Sequence, residues 1–182
     1  CASPHMPDRI IMYREPGFGI EAVEPGGIGV RIGAQAIALD PIALVDIGIN
    51  LAHDSYERDR PEVIARERQA GVVAMIVTGS TLDDSARAIA LCRSVPGMLR
   101  ATAGVHPHHA TTLQESDGSR LAELLADPMT VAAGECGLDY YRNFSPPAEQ
   151  RRAFAMQLRL ATEHRRPLFL HQRDAHTDFL AM

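Results

Sequence analysis

The chain has 182 residues, of which 46% are hydrophobic and 23% are charged, and this balance excludes a disordered or fibrous protein. The net charge of −5 argues against a protein that coats duplex nucleic acid through a broad basic face. All 18 basic residues are Arg, so every cation is able to make a forked contact with phosphate. The three Cys residues share no paired spacing, and no segment approaches the roughly 18 apolar residues of a membrane span. We therefore expect a cytoplasmic protein without a disulfide framework, a membrane span or an export signal.

Residues 1–41 differ in character from the rest of the chain. They contain repeated Gly and Pro turn signals, including Pro16-Gly17 and Pro25-Gly26, and only brief apolar pieces lie between these turns. We interpret this part as an N-terminal extension of uncertain origin, with a small hairpin as the alternative.

From residue 42 to residue 182, short apolar runs alternate with amphipathic segments. The apolar runs predict five strands, over residues 42–49, 72–78, 99–105, 129–133 and 167–170. Helices are predicted between the strands: one ending before Gly71, one capped by Thr81 and ended by Pro96-Gly97, one over residues 119–126, and one opened by Ser145-Pro146. Strict alternation with short connections indicates right-handed βαβ units, a parallel sheet and the α/β fold class.

Polar and titratable residues lie at the carboxyl end of every predicted strand. In chain order they are Asp46, Gly48 and Asn50; Thr78 and Ser80; His106, His108 and His109; Glu135, Asp139 and Arg142; and His171, Arg173 and Asp174. Each has an ordinary explanation as a loop residue. Because the carboxyl ends of parallel strands meet at one edge, where barrels place their catalytic groups, the five ends together favour a functional site.

Glu135 and His171 form the best candidate pair of metal ligands. A carboxylate oxygen and an imidazole nitrogen together suit zinc or a divalent transition metal, and a carboxylate with phosphate oxygens suits magnesium. His106 and His108 are interpreted either as phosphate-binding residues or as residues that orient the ligands. The residue-level alternative for Glu135 is a buried carboxylate satisfied by a helix N-terminus or an Arg side chain.

Two Arg residues and three aromatic residues flank these positions. Arg142 and Arg173 are suited to forked contacts with a phosphodiester, and solvated loop charge is the alternative. The aromatic residues Tyr140, Tyr141 and Phe144 offer a limited stacking surface for a single strand, or they pack the loop.

Four motifs from Asp46 to His176 resemble the amino-terminal half of the TatD-like metal-dependent deoxyribonucleases. They are Asp46-Ile47-Gly48-Ile49-Asn50-Leu51, Gly104-Val105-His106-Pro107-His108, Gly134-Glu135-Cys136-Gly137-Leu138-Asp139 and His171-Gln172-Arg173-Asp174-Ala175-His176. The resemblance implies a TIM-type (β/α)8 barrel. It also implies divalent-cation-dependent hydrolysis of DNA phosphodiester bonds, of the 3′ to 5′ exonuclease type and acting on single strands or 3′ ends.

The resemblance also implies roles for individual residues. Glu135 is expected to be the catalytic, metal-bridging carboxylate and His171 a metal ligand, with Mg²⁺ or Mn²⁺ expected and Zn²⁺ as the alternative. The residues expected near the substrate phosphate are His106, His108, Arg142 and Arg173, and those expected to support the metal ligands are Asp139 and Asn50. Many family members have a His-any-His pair where this chain has Gly48 and Asn50, so fewer protein ligands are expected here.

The predicted barrel is incomplete. A closed (β/α)8 barrel typically needs about 250 residues, and residues 42–182 supply about four and a half βα units. The family's later His and final Asp are expected beyond Met182, which predicts a truncated form with weak or no activity in isolation. The first and fifth strands would then be open edges available for self-association. The alternative functions are a barrel amidohydrolase acting on a small amide or ester, and a catalytically silent interaction module.

Overall fold

A computed structural model of the protein describes the backbone of residues 20–23, 27–32 and 35–39, and all atoms of residues 43–182. The chain divides into one unit of Cys1–Asp46 with Pro61–Val73 and another of Ile47–Arg60 with Ala74–Met182. The predicted boundary after residue 41 lies in a stretch outside the described residues, as do the predicted turns Pro16-Gly17 and Pro25-Gly26.

Three short strands in the first forty residues form an antiparallel sheet. They are β1 (Ile20–Val23), β2 (Gly27–Ile32) and β3 (Gln35–Leu39), paired in the order β1-β2-β3. Ile20 lies opposite Val30, and Ile28 lies opposite Leu39. The alternative interpretation of this part was a small hairpin of two strands. The described backbone has three antiparallel strands, one more than a hairpin.

The second sheet has five strands in their sequence order. They are β4 (Leu44–Ile49), β5 (Val72–Val77), β6 (Leu99–Ala103), β7 (Thr130–Asp139) and β8 (Leu168–Arg173). The β5–β6, β6–β7 and β7–β8 pairs are parallel. The helices are α1 (Arg60–Gln69), α2 (Leu82–Ser94), α3 (Gly118–Ala126), α4 (Pro147–Glu163) and α5 (His176–Leu180). The predicted α/β class with alternating strands and helices is confirmed.

Local signals explain where α2 begins and ends. The Thr81 hydroxyl accepts a hydrogen bond from the backbone N–H of Asp84 at 3.0 Å, as an N-cap residue does. Asp83 and Asp84 lie in the first turn, where the helix dipole favours negative charge. Gly97 has a φ of +87°, a conformation in which a side chain would be strained.

The prediction was wrong about the ends of two strands that carry the site. It ended the fourth strand at Ala133, whereas β7 continues to Asp139 and contains Glu135. It ended the fifth strand before His171, which lies inside β8. The β7–β8 register shifts between Gly134 and Cys136, and Gly137 has a φ of +143° with its Cα facing the backbone of His171. The glycines that resemble strand breakers in the sequence instead permit close backbone pairing.

The core of the second unit lies between β6, β7 and the helices α3 and α4. Its main cluster contains Leu121, Leu125, Met156 and Leu160, all buried. A smaller cluster joins Cys136, Leu138, Phe154 and Ala175, so β7 is anchored on one side along most of its length. Cys92 and Cys136 are buried free thiols.

Among the residues that the structure describes, no helix combines the length and the apolar character needed to cross a membrane.

Candidate metal centre

Three residues from neighbouring segments bring possible metal-ligand atoms together. His106, Glu135 and His171 each offer one atom, and these atoms lie within 4.8 Å of one another. Glu135 is in β7 and His171 is in β8, whereas His106 follows β6 and caps the 3-10 helix Pro107–Thr112. Two imidazole nitrogens and a carboxylate oxygen are a donor set for a divalent transition metal or zinc.

The imidazole of His171 lies between two carboxylates. Its Nε2 is 3.1 Å from Oδ2 of Asp139, and its Nδ1 is 3.2 Å from Oε1 of Glu135. If Nε2 carries the ring proton and donates it to Asp139, Nδ1 presents a lone pair to a second electron-rich atom. A cation or a proton shared between Nδ1 and Glu135 would stabilise this contact. The donor chemistry therefore fits a metal ion held by Glu135 and His171.

His106 has different chemistry from the other two residues. Its Nδ1 accepts a hydrogen bond from the backbone N–H of His108 at 3.2 Å, so the proton of the neutral ring is on Nε2. Burial, together with the nearby His171 and His108, lowers the pKa of His106 to about 3. Its Nε2 lies 3.7 Å from Oε1 of Glu135. In this arrangement His106 is a neutral N–H donor beside the two candidate metal ligands, Glu135 and His171.

Asp139 is the buried acceptor that connects the site. The residue is 1% exposed, and its Oδ2 is 2.8 Å from Nε2 of His108 as well as 3.1 Å from Nε2 of His171. Its Oδ1 accepts the backbone N–H of Arg142 at 2.8 Å. Burial opposes ionisation, but the hydrogen bonds from Arg142, His108 and His171 outweigh it and lower the pKa of Asp139 to about 2. Asp139 is therefore an ionised acceptor for both rings at neutral pH.

Two buried polar residues, Gln150 and Ser145, hold Asp139 and His108 in place, and the sequence did not indicate either as part of the site. Gln150 accepts from the backbone N–H of Asp139 at 2.7 Å and donates to the backbone carbonyls of Asp139 and Ser145. The Ser145 hydroxyl donates to the carbonyl of His108 at 3.0 Å. One sequence signal could have indicated Gln150: it precedes Phe154 by four residues and so shares the buried face of α4. A buried polar side chain there needs hydrogen-bond partners.

The two predicted phosphate-binding Arg residues lie at the exposed rim of this region. Arg142 is exposed in the loop after β7, and it is its backbone N–H that donates to Asp139. Arg173 ends β8, and its guanidinium carbon lies 3.9 Å from the ring centre of Tyr141. Their side chains are therefore accessible to a ligand, while Arg173 also makes a cation–π contact.

Asn50 lines a pocket beside the metal centre. The other lining residues are Ala52, His53, Thr78, Ser80 and Asp84. The backbone carbonyl of Ser80 accepts the N–H of His106 at 3.0 Å, so this hydrogen bond links the pocket after β5 to the candidate metal centre after β6. The Ser80 hydroxyl donates to Asp84 at 2.6 Å.

A parallel α/β sheet that gathers imidazoles and carboxylates near its strand ends is the architecture of a metal-binding TIM-type barrel. A family profile described as TatD related DNase matches residues 45–182. The chain belongs to this family, which confirms the resemblance inferred from the four motifs.

Curated relatives match the same part of the chain. The chain is 49% identical over 139 residues to the 3'-5' ssDNA/RNA exonuclease TatD of Edwardsiella piscicida, covering 76% of this chain and 54% of the relative. It is 51% identical over 139 residues to the protein of that name from Cronobacter turicensis, covering 76% and 52%. The chain thus spans about half the length of the curated relatives it matches.

Matches to solved structures confirm that the fold of this chain belongs to the TIM-type barrel family. The TatD homologue YJJV from Escherichia coli K12 matches with a TM-score of 0.69 and 26% identity, covering 75% of this chain and 53% of that one. A TatD family hydrolase from Entamoeba histolytica matches with a TM-score of 0.69 and 29% identity, covering 75% and 52%. An uncharacterized amidohydrolase from Saccharomyces cerevisiae has the same TM-score and 29% identity, covering 78% and 51%.

Proposed function

We propose that this chain carries part of the active centre of a divalent-metal-dependent nuclease that removes nucleotides from the 3′ end of single-stranded DNA or RNA. The observation that carries the proposal is the convergence of His106, Glu135 and His171 within 4.8 Å. The names of the curated relatives, 3'-5' ssDNA/RNA exonucleases, support the substrate class and the direction of attack. The proposal includes a cytoplasmic location, where the buried thiols of Cys92 and Cys136 would stay reduced.

Glu135 and His171 would hold the metal ion. Glu135 offers a carboxylate oxygen, and His171 offers Nδ1, 3.2 Å from that oxygen. When bound, the ion supplies Lewis-acid activation of a phosphoryl oxygen and of the attacking water. Because an imidazole nitrogen is a better ligand for Mn²⁺ than for Mg²⁺, Mn²⁺ is the ion to test first.

The other residues of the centre would orient the ligand and the substrate. Asp139 holds the proton of His171 on Nε2 and leaves Nδ1 free to bind a cation. His106, neutral and protonated on Nε2, would donate to a phosphate oxygen. Arg142 and Arg173 would contact phosphates further along the strand and offset their charge. Asn50 would contact the substrate or a bound water from the adjoining pocket.

Calorimetric titration with Mn²⁺ and a cleavage assay together test this function. The purified chain is expected to bind Mn²⁺. Its cleavage of a 5′-labelled single-stranded oligonucleotide is expected to be weak or absent, and any shortening from the 3′ end should require Mn²⁺. Glu135→Gln should lose metal binding, because an amide oxygen is a much weaker ligand than a carboxylate. Glu149→Gln on α4, whose carboxylate bonds Arg152, is the matched control and should bind Mn²⁺ normally. Normal Mn²⁺ binding by Glu135→Gln would contradict the assignment.

An amidohydrolase activity is the second candidate, favoured by the structural match to the amidohydrolase from Saccharomyces cerevisiae. The same metal ligands would serve it, so the substrate has to separate the two functions. A panel of small amides and esters, assayed beside the oligonucleotide with equal Mn²⁺, makes this distinction. Hydrolysis of the panel without cleavage of the oligonucleotide would replace the nuclease proposal, and a complete lack of Mn²⁺ binding would favour a catalytically silent protein.

A further inference from the structure

The loop that follows β7 exposes two aromatic side chains beside the metal centre. Tyr141 is 61% exposed and Phe144 is 66% exposed. A large aromatic side chain ordinarily buries most of its surface, because that burial is a major contribution to stability. Two exposed rings within four residues therefore need an explanation other than packing of this chain.

Hydrogen bonds anchor this loop at both of its ends. At its start, the backbone N–H of Arg142 donates to Asp139 at 2.8 Å. At its end, the buried Ser145 donates from its hydroxyl to the carbonyl of His108 and accepts the N–H of Thr111 on the same oxygen. Gln150 donates to the carbonyl of Ser145 at 2.7 Å. The Phe144 ring is thus presented from a fixed backbone, although most of its surface faces solvent.

The Phe144 ring contacts His108, the imidazole next to the candidate metal ligands. Its centroid is 4.8 Å from that of His108, and the two ring planes meet at 72°. The centroid of His108 is in turn 4.3 Å from that of His106, and its Nε2 bonds Asp139. Only one imidazole therefore separates the exposed ring from the three possible ligands. A nucleotide with its phosphate at the metal centre would have its base within reach of Phe144.

The second exposed ring is already occupied. The Arg173 guanidinium lies 3.9 Å from the centre of the Tyr141 ring, so a cation covers one face of that ring. Phe144, in contrast, has one aromatic contact among the described residues. That contact is with His108, and the two rings meet edge to face. Phe144 is consequently the better platform for a flat ligand.

We propose that Phe144 is a stacking platform for an unpaired nucleobase next to the phosphodiester at the metal centre. The inference rests on the proposed function for the position of that phosphate. In a duplex the neighbouring base pairs cover the base faces, whereas a single strand presents a free face that is able to stack on an aromatic ring. Such stacking tolerates every base, because each base has a π face. Phe144 would thus select for single strands without selecting a sequence.

Binding of paired oligonucleotides to the purified chain tests the proposal without relying on turnover. One fluorescein-labelled oligonucleotide carries all its bases, and the other lacks the bases of the last two 3′ nucleotides; both have phosphorothioate linkages that resist cleavage. In Mn²⁺, Phe144→Ala should weaken binding of the complete oligonucleotide by about 5- to 150-fold, the range expected for one stacked base. It should leave binding of the abasic oligonucleotide within about twofold of the unsubstituted chain.

Two further variants make the result specific. Leu180→Ala is the control, because Leu180 on α5 is 71% exposed and belongs to no part of the proposed site. Phe144→Trp should retain binding, and since the chain has no Trp, the introduced indole is a unique fluorophore. Its emission should be quenched by the complete oligonucleotide and not by the abasic one.

The outcomes separate this inference from the function on which it rests. If the unsubstituted chain binds the complete and the abasic oligonucleotides equally, or if Phe144→Ala weakens both equally, base stacking at Phe144 is overturned while nucleic-acid binding stands. An indole that the complete oligonucleotide does not quench also overturns it. If the unsubstituted chain binds Mn²⁺ but neither oligonucleotide, the nuclease proposal itself fails, and the stacking platform fails with it.

Discussion

The Nε2 atom of His171 lies 3.1 Å from Oδ2 of Asp139, a buried carboxylate. The same oxygen lies 2.8 Å from Nε2 of His108. If Nε2 donates its proton to Asp139, Nδ1 presents a lone pair to Glu135, 3.2 Å away. A residue that makes no contact with a bound ion would therefore set the affinity of the site for that ion.

Asp139→Asn is expected to lower Mn²⁺ affinity roughly 10- to 100-fold, the usual cost of removing a carboxylate that orients a metal-binding His. Calorimetry gives the affinity, and the ¹⁵N chemical shifts of the His171 ring report whether the proton leaves Nε2. Asp178→Asn is the control, since Asp178 accepts from Tyr140 and Arg151 away from the ligands. Unchanged shifts and affinity in Asp139→Asn would show that Asp139 does not control the tautomer.

Gly137→Ala should strongly destabilise the pairing of β7 with β8. Gly137 has a φ of +143° and lies opposite His171, whose backbone would clash with an added Cβ. Strain and displacement together are expected to cost about 3 kcal/mol or more in the free energy of unfolding, measured with urea. Gly118→Ala is the matched control, because Gly118 has a φ of −55° and no atom within 4 Å of the added Cβ. Equal stability of the two variants would disprove this account of Gly137.

Gln157→Leu should destabilise the protein although Leu is the more hydrophobic residue. Gln157 is buried, accepts the backbone N–H of Val105 at 2.7 Å and donates to the Val105 carbonyl at 3.0 Å. Leu would leave both backbone groups without these partners, at a cost of about 2 to 4 kcal/mol in unfolding free energy. The exposed Gln69→Leu on α1 should change stability by less than about 0.5 kcal/mol. A urea midpoint for Gln157→Leu at or above that of the unsubstituted chain would refute the expectation.

The edge strand β8 is expected to support self-association. It is the last strand in the sheet order, and its Leu168 and Leu170 are 39% and 47% exposed. Sedimentation velocity should reveal a concentration-dependent dimer, and Leu170→Lys should weaken it, because charged side chains oppose strand pairing and burial at an edge. Leu180→Lys, outside the sheet, should leave the association unchanged. A monomer at every concentration would contradict the prediction.

Local sequence signals sufficed for the α/β order and for several helix boundaries. The Thr81 cap and the stop at Gly97 depend on residues close to one another in the chain, so short-range hydrogen bonding and backbone preference determine them. The pairing of Glu135 with His171 was also predictable, because parallel strands deliver their carboxyl ends to one edge. The four motifs were enough to identify the family.

Tertiary contacts decided the features that give the site its chemistry. Asp139 meets His108 and His171 across 31 and 32 residues. The β7–β8 pairing brings His171 to it, and the β6–β7 pairing brings the segment after β6 that carries His108. The continuation of β7 past Gly134 likewise depends on the neighbouring strand, since a glycine alone reads as a break. Gln150 becomes a support for Asp139 only when α4 packs on β7. These features depend on partners distant in sequence, whose backbone hydrogen bonds and burial no local pattern specifies.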